Sequence, residues 1–68
     1  MQLSDNIRLR REAKGLTQTE LGRMCKLTAA AISYYERGKR KPCMAALLAL
    51  SKALGCTVEE LVGGAASA

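Results

Sequence analysis

The 68-residue chain predicts an all-α domain of five short helices, and three observations carry that reading. Gly15, Gly38 and Gly55 each close an apolar pattern of helical period, at the place where a left-handed residue ends a helix. Thr17-x-x-Glu20 and Thr57-x-x-Glu60 are capping boxes, each able to satisfy two free N–H groups at a helix start. No stretch alternates with period two over strand length, which leaves no candidate strand.

Between these marks the helices fall in order. The first runs over about 5–14, with Ser4 or Asp5 as its cap. The second covers 17–25, and Leu21, Cys25 and Met24 are expected to face inward. Only Lys26 and Leu27 separate it from Thr28, where the third helix begins and runs to 36. So short a connection forces a sharp angle between two helices, as in a helix-turn-helix. The fourth helix, 43–54, reads "CMAALLALSKAL" and is apolar nearly all round, as befits a central core helix. The fifth, 57–62, opens on the second capping box. Residues 1–62 form one domain on this reading, and 63–68, "GGAASA", a frayed tail.

Composition narrows the function classes. A domain this small buries only about 60% of its unfolded surface, so the core must be compact. It contains no Phe and no Trp, so Leu, Ile, Val, Met and Ala must fill it. Net charge is +5 without any His. That balance suits a polyanionic partner, either nucleic acid or an anionic membrane surface, and also serves solubility. Cys25, Cys43 and Cys56 are odd in number and lack Cys-x-x-Cys spacing. Without His they do not make a zinc site, and they read as small buried or half-buried thiols in a reducing compartment. No metal, no cofactor and no catalytic residue is expected. The charged N-terminus has no apolar run behind it, so it is not a signal peptide, and the run from Met44 to Leu50 is too short to span a bilayer.

The stretch "LTAAAISYYERGKRK", Leu27 to Lys41, is the candidate for function. At roughly 100° per residue, Ala31, Ile32 and Tyr35 fall on one side of the third helix. Ala29, Ala30, Ser33, Tyr34 and Arg37 fall on the other. The first set anchors the helix to a core. The second is small at its start and leads into Arg37, Lys39, Arg40 and Lys41. A DNA major groove admits an α-helix whose leading side chains are not bulky, and cations beyond them suit the phosphates. An ordinary amphipathic surface helix, its alanines merely favouring helix formation, fits the same residues.

A wider pattern adds to this. "GLTQTELGRM", then "LTAAAISYYERGKRKP", "LLALSKALG" and "TVEELV" resemble the lambda-repressor-like helix-turn-helix family of the Cro/Xre type, over about Ile7 to Val62. The "LLALSKALG" segment is especially similar to phage repressor DNA-binding domains. The resemblance implies a compact five-helix domain, usually dimeric, that binds operator DNA and regulates transcription. Carried over by position, Gln18 contacts phosphate and sometimes a base. Thr28, Ala29, Ala30, Ser33 and Tyr34 face the groove. Thr17, Arg37, Lys39, Arg40 and Lys41 lie beside phosphates, and Arg11 pairs with Glu36. Relatives dimerise through the end that holds Val58, Leu61 and Val62, an apolar cluster on a helix that looks too short to bury all three.

Five positions depart from the pattern. Ala29 and Ala30 replace side chains that hydrogen-bond bases, which leaves contact with a thymine methyl or a fit of shape. Cys43 stands where Ser or Thr caps a helix, and a thiol caps poorly. Lys26 stands where relatives place Gly or Asn in the turn. Gly22 lies inside the second helix, which suits a close approach there.

The resulting expectation is a sequence-specific double-stranded DNA-binding regulator, a repressor in type, acting as a homodimer in the cytoplasm on the nucleoid of a bacterial or phage system. The other reading on the same scaffold is a protein-interaction module such as an antitoxin or a bridging factor. With no His, no paired carboxylates and no phosphate-binding glycine loop, an enzyme is not expected. With no sensor domain, no small-molecule effector is expected either.

Overall fold

A computed structural model describes residues 3–62. Five helices follow one another: α1 (Leu3–Ala13), α2 (Gln18–Cys25), α3 (Ala29–Glu36), α4 (Met44–Leu54) and α5 (Val58–Val62). The described residues contain no strand. The expected tail at 63–68 lies outside them.

The helix ends are made by local chemistry. Thr17 precedes α2, where its hydroxyl accepts from the Glu20 N–H at 3.0 Å and the Glu20 carboxylate accepts from the Thr17 N–H at 2.8 Å. Thr57 and Glu60 repeat this at α5, at 3.0 and 2.9 Å. Thr28 caps α3 through the Ala31 N–H at 3.0 Å. Cys43 caps α4 without a side-chain hydrogen bond, as the weak acceptor strength of sulfur dictates. At α1 the expectation differs from the structure: the helix already includes Leu3, so Ser4 and Asp5 lie inside its first turn.

Four helices end in one geometry. The left-handed residues are Gly15, Lys26, Gly38 and Gly55, with φ of 70, 59, 71 and 71°. After each, the next N–H reaches back to a carbonyl five residues earlier: Leu16 to Arg11, Leu27 to Gly22, Lys39 to Tyr34 and Cys56 to Ser51. These are Schellman motifs, and they turn the chain sharply while satisfying carbonyls that the helix leaves open.

The core is Ile7, Leu21, Cys25, Ile32, Leu50, Leu54 and Leu61, one or more from every helix. Each large aliphatic chain fully buried there contributes about 1.5–3 kcal/mol. Leu61 is 0% exposed. It therefore cannot belong to the dimer surface expected of Val58, Leu61 and Val62. The fifth helix turns Leu61 into the domain, where its carbonyl also accepts from the buried Asn6 side chain at 2.9 Å. Val58 is half-buried and Val62 exposed.

Three further expectations change. Met24, expected inside, is 54% exposed. Cys43 is exposed, whereas Cys25 is buried and Cys56 half-buried. Burial pushes the Cys25 and Cys56 thiols up from their ordinary range. The fourth helix is not covered all round, because Met44 and Leu48 stand 63% and 48% exposed. Five short helices cannot enclose every side of one of their number; α4 packs against α2, α5 and α1 and keeps an open side.

Candidate nucleic-acid interface

The turn between α2 and α3 fixes the angle of the third helix. Leu27 donates its N–H to Gly22 at 2.7 Å, which draws the turn onto the helix before it. A Cβ on Gly22 would sit 2.7 Å from the Leu27 carbonyl oxygen and 3.2 Å from Thr28 backbone atoms. Only glycine lets the two segments approach this closely. Lys26 takes the left-handed conformation, a geometry that strains an L side chain by roughly 1–2 kcal/mol.

The far end of α3 is held by Glu36, whose side chain is 3% exposed. Its two oxygens accept from Arg11 Nε at 2.6 Å and Arg11 Nη2 at 3.1 Å. Arg11 Nη1 also donates to the Leu16 carbonyl at 2.7 Å. The hydrogen bond to Glu36 raises the Arg11 guanidinium above its ordinary value. A third donor, Gln18 Nε2, reaches Glu36 Oε1 at 3.1 Å. One buried carboxylate thus ties α1, the start of α2 and the end of α3 together.

The candidate residues fall around this joint. Thr17 and Gln18 stand at the N-terminus of α2, where the N–H groups of Gln18 and Thr19 have no partner within the helix and suit an anion. Thr17 and Thr28 are exposed, though their hydroxyls already accept from the helices they cap. Ala30 is exposed, and Ala29 and Ser33 are half-buried. Tyr34 is exposed and carries the Arg37 guanidinium 5.4 Å from its ring centroid, a cation–π arrangement. Lys39, Arg40 and Lys41 follow as exposed cations on the loop. The Lys39 N–H bonds the Tyr34 carbonyl at 2.9 Å, which folds that loop back along the end of α3. Buried Pro42 then pins it. The inner side of α3 is Ile32 and Glu36, with Ala31 and Tyr35 partly covered.

Sequence reasoning did not anticipate the Gln18–Glu36 bond or the Arg37–Tyr34 stack. Gln18 sits 18 residues before Glu36, and no local pattern pairs them. The stack was within reach, since Tyr34 and Arg37 are three apart and share a helix side.

Among the described residues no set of His, Cys, Asp and Glu could hold a metal, and no helix is long and apolar enough to cross a membrane.

Comparison with known proteins places this architecture. A family model described as Helix-turn-helix matches residues 7–61. The repressor protein C2 of Salmonella phage P22 is 40% identical over 62 residues, which is 91% of this chain and 29% of that protein. The HTH-type transcriptional activator BcrR of Enterococcus faecalis is 34% identical over 64 residues, or 94% of this chain and 31% of that one. The chain thus spans about a third of the length of these two relatives. Among solved structures, the P22 c2 repressor in complex with synthetic operator 9T superposes with a TM-score of 0.90 at 39% identity, covering 94% of this chain and 97% of that one. With the turn, the capped pair α2–α3 and the five-helix frame in place, the chain belongs to the helix-turn-helix family of the lambda-repressor-like, Cro/C1 type.

Proposed function

We propose that the domain binds double-stranded operator DNA in a sequence-specific way and represses transcription there, with α3 in the major groove. The observation that carries this is the joint at Glu36. It ties the start of α2 to the end of α3, and the fold as a whole superposes on a repressor solved in complex with synthetic operator. Ala29, Ala30, Ser33 and Tyr34 read base edges, with Thr28 and Gln18 beside them. Thr17, Gln18, Arg37, Lys39, Arg40 and Lys41 serve the phosphates. Gln18 spends one amide hydrogen on Glu36 and keeps the second, with its oxygen, for DNA. Two copies associate through Val58 and Val62 and present α3 to successive major grooves, about 34 Å apart.

Selection of bound duplexes from a random pool tests the reading. A two-fold symmetric consensus is expected, and its affinity should fall with salt, each neutralised phosphate adding about −0.9 to the log–log slope. Lys39→Ala or Arg40→Ala should make the slope shallower by about one and leave the consensus unchanged. Uracil in place of thymine should weaken binding at the positions that Ala29 and Ala30 touch, since only the methyl is lost. Enrichment of no consensus, or salt-independent binding, refutes the reading.

A further inference from the structure

One concave surface on the described residues is not part of this interface. A groove of about 550 Å³ runs between the end of α2 and the open side of α4. Met24 and Leu48 stand along it, 54% and 48% exposed, and Met44, 63% exposed, lies one helical turn before Leu48. The more buried Cys25, Ala49 and Ala53 lie beneath. Lys26 and Lys52 also line it, and no acidic residue does.

Two features define what fits. Met24 on α2 and Leu48 on α4, both exposed along the groove, gain nothing from a phosphate backbone or from water, and a second apolar surface would bury them. Methionine adapts its shape to such a surface, because it is unbranched and polarizable. A channel between two helices takes a third, read through apolar residues spaced i, i+4 and i+7. The lysines select its sign. Together they put two cations on the one groove, with no carboxylate among its lining residues. Carboxylates on the incoming helix would supply the missing charge.

We propose that the α2–α4 groove docks an amphipathic, acidic helix of a partner protein, so that the domain carries a protein-binding surface beside its DNA surface. The groove shares no lining residue with the proposed DNA contacts, so the two surfaces can be occupied and tested separately.

The probe is a synthetic helical peptide of about 15 residues, long enough to hold a helix, with leucines at i, i+4 and i+7 flanked by glutamates. Its control carries lysines in place of the glutamates. With the full chain, the glutamate peptide is expected to shift amide resonances of Met24–Lys26 and Ala45–Ala53 and to bind at least about tenfold more tightly than the control. Leu48→Gln with Met24→Gln, both at exposed positions, should weaken it about tenfold or more, and Lys52→Glu about fivefold. Thermal midpoint and affinity for selected DNA should stay unchanged, which separates this test from that of DNA binding. The proposal is overturned by any of four results. These are equal binding of both peptides, no groove shifts at millimolar peptide, self-association of the chain that Leu48→Gln abolishes, or duplex DNA shifting the same groove residues.

Discussion

Arg11 and Glu36 meet across 25 residues of sequence, with two hydrogen bonds at 2.6 and 3.1 Å and side chains only 13% and 3% exposed. The pair closes α3 against α1, and Gln18 joins it from α2. Loss of either partner leaves the other charged and out of water. Arg11→Ala is therefore expected to lower stability by about 3–5 kcal/mol, where a solvated pair would lose under about 1. A double-mutant cycle with Glu36→Gln, read by thermal unfolding, should give strong coupling. A coupling near zero contradicts a buried pair.

The turn offers two substitutions of opposite sign. Gly22→Ala places a methyl against the Leu27 carbonyl and should lower stability by about 1–3 kcal/mol, the usual range for overpacking. Lys26→Gly relieves a left-handed side chain and should raise it by up to about 1 kcal/mol, part of the relief being lost to the looser unfolded chain. A lower midpoint for Lys26→Gly would refute the strain argument. Gly22→Ala should also weaken DNA binding, since the turn sets the angle of α3.

The fifth helix separates core from surface within two residues. Leu61→Ala opens a cavity in the core and is expected to lower stability by about 2–5 kcal/mol. Val62→Glu, at an exposed position, should leave the fold within about 0.5 kcal/mol and abolish dimeric binding. Sedimentation and footprinting read the second effect. A Val62→Glu protein that remains dimeric and protects a full palindrome removes α5 from the interface.

The two capping boxes give an acid dependence. The Thr17 and Thr57 N–H groups bond the carboxylates of Glu20 and Glu60 and hold both below their ordinary value of 4.5. A carboxyl lowered in the folded state contributes stability that is present above its unfolded value and is lost as pH falls through the folded one. The denaturation midpoint should thus drop as pH falls below 4.5 and through the lower folded values, and less so in Glu20→Gln and Glu60→Gln, which keep the box as neutral amides. Equal pH slopes in wild type and both variants would rule these carboxylates out as a source.

What the sequence determined by itself is what depends on neighbours in the chain. The five helices lie within a residue or two of expectation because capping boxes and Schellman turns act over three to six residues. The left-handed turn at Lys26 and the poor cap at Cys43 were expected from the family resemblance, by the residues that relatives place there. The outward side of α3 followed from helical period, with Ile32 buried and Ala30 and Tyr34 exposed. The tertiary structure alone decided which apolar faces found cover. Leu61 and Val62 are adjacent and both apolar, yet α1 and α4 bury the first and leave the second in water. Met24 and Leu48 carry the same helical signal as core residues but face an open groove. Asn6 and Gln18 found partners at separations of 55 and 18 residues. Period tells a helix which of its sides is apolar; only the placement of the other helices determines how much of that side is removed from water.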